Sequence, residues 1–144
     1  MRLNIFGKLF GKKKATKPTK PKKADVVITL DYITAAGQKK YDEFDKFSLR
    51  MGDLDLDVDT SEYSGDEGAI YYKYEDEKND IEIFVTVGVN VKINRNYETT
   101  IDYFDYSVDA HFDEETFVVD GGKKPEKVLA EVERLIAKAK AMQD

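Results

Sequence analysis

Residues 81–93 read Ile-Glu-Ile-Phe-Val-Thr-Val-Gly-Val-Asn-Val-Lys-Ile. Ile81, Ile83, Val85, Val87, Val89, Val91 and Ile93 recur at every second position, with Glu82, Thr86, Asn90 and Lys92 between them. Successive side chains of a strand point to opposite faces of its sheet. The pattern therefore predicts a long strand with one buried side and one wet side.

The flanking segments extend this reading. Asn94-Arg95-Asn96-Tyr97 has the composition of a turn. Thr100 to Phe112 then returns, with Phe104, Tyr106, Val108, Ala110 and Phe112 facing inward. Tyr103, Asp105, Ser107, Asp109 and His111 face the other way, and Phe117-Val118-Val119 gives one last short strand. Upstream, Ile70, Tyr72 and Tyr74 form a strand that ends in the turn Glu75 to Asp80. Residues 59–68, rich in Asp, Ser, Glu and Gly, read as a loop. Phe47, Leu49 and Met51 alternate, and so do Leu54, Leu56 and Val58 with the opposite parity, which predicts a hairpin around Gly52-Asp53. Residues 39–45 fit either a short helix or an extended lead-in. Val26, Ile28, Leu30 and Tyr32 give a first strand.

Gly121-Gly122 ends the sheet, and Pro125 suits a first helical turn. Val128, Leu129, Val132, Leu135, Ile136, Ala139 and Met142 follow at helical spacing. Glu126 near the start and Lys138 and Lys140 near the end match the helix dipole. The expected fold is α+β: an antiparallel meander of about six or seven strands with one long C-terminal helix on its apolar face. This order of elements resembles the helix-grip architecture of small-ligand carriers. That resemblance implies a pocket between sheet and helix, and with it an alternative function as a small-molecule carrier or an enzyme.

Composition narrows the chemistry. The 144 residues include no Cys, which excludes disulfides, thiolate nucleophiles and iron–sulfur clusters. A single His, His111, excludes a zinc site built on several imidazoles. No apolar stretch approaches the ~20 residues of a membrane span. The first eleven residues lack the pattern of a secretory signal, so a cytoplasmic protein is expected.

Charge divides the chain. Residues 1–24 carry nine basic side chains and no acid. The remaining 120 carry 14 basic and 29 acidic side chains, a net −15 within the overall −6. Residues 12–24 lack apolar periodicity, and like charges and two prolines favour an extended chain. The expected division is a basic tail over residues 1–24 and one domain over residues 25–144. The opening Ile5-Phe6-Gly7-Lys8-Leu9-Phe10-Gly11-Lys12-Lys13-Lys14 resembles the first residues of many small bacterial proteins.

Three constellations bear on function. On a helical wheel Leu3, Ile5, Phe6, Leu9 and Phe10 share one side, and Lys8, Lys12, Lys13 and Lys14 lie beside or after them. Such a segment suits an anionic membrane surface, where each nearby Lys or Arg adds about 1 kcal/mol. A solubilising tail is the plainer reading, and nucleic acid is disfavoured because the acidic body would be repelled. Second, Asp53, Asp55, Asp57 and Asp59 alternate. They miss the Gly and acid spacing of a calcium loop and read as a solvated strand face that discourages edge-to-edge pairing. Third, Tyr71, Tyr103, Asp105, Asp109 and His111 suit a surface for a basic protein partner, with Tyr giving contact area and Asp giving steering. His111 beside Asp109 and Asp113 could make an acid–base cluster, but no Ser among Ser48, Ser61, Ser64 and Ser107 is singled out as a nucleophile. No catalytic residue, metal ligand or cofactor is named. The expectation is a non-enzymatic binding module of inhibitor, immunity or adaptor type.

Overall fold

Alternation of β-branched residues favours an extended backbone, and residues 81–93 form one strand whose burial alternates with period two along most of its length. The computed structural model describes residues 28, 30, 32–64 and 67–143, with backbone alone at residues 60–64 and 67. The strands are β1 (Asp57–Ser64), β2 (Glu67–Asp76), β3 (Ile81–Ile93), β4 (Thr99–Phe112) and β5 (Glu115–Gly122). They form one antiparallel sheet in the order β1-β2-β3-β4-β5. Two helices, α1 (Ala35–Asp53) and α2 (Glu126–Ala141), complete an α+β fold.

The turns carry their own chemistry. Asp80 and Asp113 take positive φ, a conformation that Asp tolerates better than most residues. At the β2–β3 turn the Asp76 carboxylate accepts from the Asn79 backbone N–H at 3.3 Å and from its side-chain amide at 2.8 Å. The Asp113 N–H donates to the Asp80 carbonyl at 2.9 Å and joins this turn to the β4–β5 turn.

Three expectations are corrected. The hairpin predicted around Gly52-Asp53 is instead the end of α1. Tyr41, Phe44, Phe47, Ser48 and Met51 are buried at three- and four-residue spacing, so the alternation of Phe47, Leu49 and Met51 was a fragment of a helical stripe. The Thr34 hydroxyl accepts from the Gly37 N–H at 3.0 Å and caps the helix. At the other end the Leu54 N–H donates to the Arg50 carbonyl at 3.0 Å, and Asp55 turns the chain at φ 67. Leu56 then leads into β1, and Val58 lies within it, as the alternation places it. Second, most of residues 59–68 is strand rather than loop, paired through the backbone from Thr60↔Tyr71 to Ser64↔Glu67. Third, Ile28 and Leu30 are buried in the core, but they and Tyr32 belong to no strand. Val26 lies outside the described residues. Among the described residues the sheet therefore has five strands rather than six or seven.

The core lies between the sheet and the two helices. Val85 and Val87 are fully buried, and Val89 is 1% exposed. From α1, Phe44 stacks on Phe104 with ring centroids 4.8 Å apart, and Phe47 meets Tyr106 edge-on at 4.9 Å. From α2, Val128, Val132, Leu135, Ile136 and Ala139 are buried, as their spacing predicts. The helices run in the same direction. Arg50 near the end of α1 reaches Glu133 of α2 at 2.8 Å, and Asp55 just past α1 reaches Lys140 at 2.8 Å.

Each fully buried aliphatic side chain stabilises the fold by about 1.5–3 kcal/mol. Ile83→Ala, at a fully buried position near the start of β3, should cost about 2–5 kcal/mol. Ile93→Ala, where the side chain is 61% exposed, should change stability by no more than about 0.5 kcal/mol. Urea unfolding of the two variants measures the contrast.

Candidate functional site

Both helices lie on one side of the sheet, and no described element covers the other. On that open side the strand register sets side chains in rows. Lys73, Phe84, Asp109 and Val118 make one row, and Glu75, Glu82, His111 and Thr116 make the next. Tyr71 shares a row with Thr86, Ser107 and Asp120. Carboxylates outnumber cations on this side, with Lys73 and His111 set among Glu75, Glu82, Asp105, Asp109 and Asp120.

The polar groups are held by short local contacts. The Asn90 side-chain amide donates to Asp105 Oδ2 at 3.1 Å. Asp105 lies flat because its cross-strand neighbour is Gly88, where an added Cβ would collide with the carboxylate. His111 Nε2 lies 3.5 Å from Asp109 Oδ1, and its Nδ1 lies 3.3 Å from the Thr116 hydroxyl. The Lys73 ammonium sits 5.7 Å from the centre of the Phe84 ring, within cation–π range. Val118 is 67% exposed.

Tyr71, Asp105, Asp109 and His111 thus share this surface. Tyr103 lies at its margin. It pairs with Asn90, but a register irregularity at Asn90/Val91 follows at once, and β5 reaches no further along β4 than Tyr106. There no described strand pairs with the outer edge of β4, and the Tyr103 ring borders a cleft of about 490 Å³ lined by Ala36, Lys39, Lys40, Glu43, Phe104, Lys123 and Lys124. Phe84 and Val118 were missed in the sequence. Phe84 interrupts the polar side of β3, which was its signal. The cleft lysines come from two distant segments and left none.

No protein-family model, curated protein or solved structure matches the chain.

The alternating aspartates do not converge. Asp53 ends α1, Asp55 pairs with Lys140, and Asp57 and Asp59 belong to β1. Among the described residues no three His, Asp or Glu side chains gather as metal ligands would. Among them, too, no helix is long and apolar enough to cross a membrane. The tail positions Leu3, Ile5, Phe6, Lys8, Leu9, Phe10, Lys12, Lys13 and Lys14 lie outside the described residues.

Two buried phenols flank α1. The Tyr72 hydroxyl donates to Ser48 Oγ at 3.1 Å and ties α1 to β2. Burial pushes this phenol well above its ordinary value, against the lowering effect of that hydrogen bond. The Tyr106 phenol is raised further, first by burial and then by the nearby Glu43. Its hydroxyl has no partner among the described residues. A buried unpaired hydroxyl carries a desolvation cost of about 1–3 kcal/mol. Tyr106→Phe should therefore leave the protein as stable or raise its stability by roughly 1 kcal/mol. Tyr72→Phe, which removes the hydrogen bond between α1 and β2, should lower stability by about 1 kcal/mol. Thermal unfolding of the two variants should move in these opposite senses.

Proposed function

We propose that the chain is a non-enzymatic binding module whose open sheet face takes a basic segment of a protein partner. The observation that carries this reading is the uncovered surface on which Tyr71 and Phe84 stand among Glu75, Glu82, Asp105, Asp109 and Asp120. Aromatic rings give rigid contact area at small entropic cost. The surrounding carboxylates favour Lys- and Arg-rich segments and speed their encounter. Contacts such as Asn90 to Asp105 hold that carboxylate in place before a partner arrives, which lowers the ordering cost of binding. An inhibitor, an immunity-type factor or an adaptor works through such a surface.

In the same reading the basic start brings the module to anionic membrane surfaces. Its apolar residues Leu3, Ile5, Phe6, Leu9 and Phe10 and the lysines that follow supply the two contributions that peripheral attachment needs.

A Lys/Arg-rich peptide titrated into the isotopically labelled full chain checks the main claim by NMR. Backbone signals of Phe84, Thr86, Asp109 and His111 should shift together. Affinity should fall at least about tenfold between 0.05 and 0.5 M salt, as screening shortens the reach of the carboxylates. Tyr71→Ala and Phe84→Ala should each cost about 1–2 kcal/mol of binding. An equal response to an acidic peptide, or shifts that avoid β3 and β4, would defeat the reading. For the tail, flotation on anionic vesicles should be lost when residues 1–14 are removed; unchanged flotation refutes that part alone.

A further inference from the structure

The acidic body carries a pocket of opposite charge. In residues 25–144 acids outnumber bases by two to one. Yet the cleft near the start of β4 is lined by four lysines, Lys39, Lys40, Lys123 and Lys124, and by one carboxylate, Glu43. Two segments more than eighty positions apart bring them there: the first turns of α1, and the loop between β5 and α2.

The lysines are placed by the fold. The Lys40 ammonium donates to the Asp102 carbonyl at 2.6 Å, on the stretch of β4 that β5 leaves unpaired. That contact uses one of its three N–H donors. The Lys123 ammonium lies 4.4 Å from the centre of the Tyr103 ring, a cation–π contact that holds it at the rim.

The helices sharpen the charge. Because α1 and α2 run in the same direction, their positive ends lie at the same end of the sheet, each worth about half an elementary charge. Helix starts ordinarily gather acids. Here α1 has no acid in its first turn, and Lys39 and Lys40 follow within the next. Lys123 and Lys124 stand directly before α2, whose first turn holds Glu126 and whose start has no side-chain cap. Placing four cations beside two positive helix ends works against stability. Departures of this kind from local charge preference mark functional positions.

We propose that this cleft binds a phosphorylated small molecule, with its phosphate oxygens among Lys39, Lys40, Lys123 and Lys124 and its organic part against Tyr103 and Ala36. The volume of about 490 Å³ falls within the ~300–1,000 Å³ of small-molecule sites and exceeds the need of a bare ion. All the cations are Lys and none is Arg. Ammonium groups bind phosphate as point charges, a common use of Lys. This site is separate from the open sheet face and stands whether or not that face binds a partner.

The full chain is titrated with pyrophosphate, adenosine diphosphate and uncharged adenosine at constant ionic strength, followed by calorimetry and by backbone NMR. Pyrophosphate and adenosine diphosphate should both shift Ala36, Lys39, Tyr103 and Lys123, and adenosine should shift none of them. The double variant K39E/K123E should weaken phosphate binding by at least about tenfold, given the strength of charge-assisted hydrogen bonds. K78E/K138E, with the same change in net charge placed away from the cleft, should bind within about twofold of the unaltered chain. Y103A should weaken adenosine diphosphate more than pyrophosphate; equal losses would show that the ring holds no organic group and would remove that half of the proposal. Thermal unfolding supplies a second readout, since a bound ligand raises the midpoint. Pyrophosphate should raise it for the unaltered chain and not for K39E/K123E. Shifts confined to the basic residues 12–23, or equal weakening in the two double variants, would overturn the site.

Discussion

Everything in this fold hangs on one apolar surface, the inner side of β3. Its aliphatic side chains from Ile81 to Val89 are buried almost completely, and β3 is the middle strand of five. A middle strand has both backbone edges satisfied by neighbours, so its only remaining requirement is a cover for its apolar side. Two helices provide that cover from one side, and no described element covers the other. The partly exposed surface of Tyr71, Phe84, Asp105 and Asp109 is thus a direct result of putting both helices on one layer.

The parts of the architecture that could be read from the sequence are those where a single period acts alone. β3, the inward set Phe104 to Phe112 and the C-terminal helix carry clean repeats of two or of three to four, and all three fold as the repeats predict. Residues 35–53 were harder. Phe47, Leu49 and Met51 fit a strand if read alone, whereas Tyr41 and Phe44 make them helical, and the longer stripe wins because it meets Phe104, Tyr106 and Tyr72 together. Beyond Val58, which the alternation with Leu54 and Leu56 placed in a strand, β1 was illegible for another reason. Its sequence Asp-Val-Asp-Thr-Ser-Glu-Tyr-Ser carries almost no apolar signal, and its strand form comes from backbone pairing with β2. Of the open sheet face, the parity of β4 revealed Asp105, Asp109 and His111. The lysine cleft depends on residues that only the folded chain makes neighbours.

Electrostatics gives the molecule two characters. The sheet side gathers carboxylates around aromatic rings, and the end where the helices start gathers ammonium groups around Tyr103. Within a body of net −15 these cannot both result from an even spread of charge. Separation of this kind costs stability through repulsion within each patch, and it is tolerable because exposed charges are weakened by water and salt. The price is small where side chains are solvated. The tyrosines and Phe84 then add contact area that charge alone would lack.

The bond from the Asp113 N–H to the Asp80 carbonyl has a mechanical consequence. It cross-links two reversals of the chain at one end of the sheet, next to Glu82 and His111. The far end carries the projecting loop around Asn94 to Glu98, with Tyr97 88% exposed, and among the described residues no backbone hydrogen bond ties that loop to another reversal. Breathing of the sheet should begin at that loop and die out toward the stitched end. Amide exchange with solvent would then be graded along β3 and β4, fastest near Ile93 and Thr99 and slowest near Ile83 and Ala110.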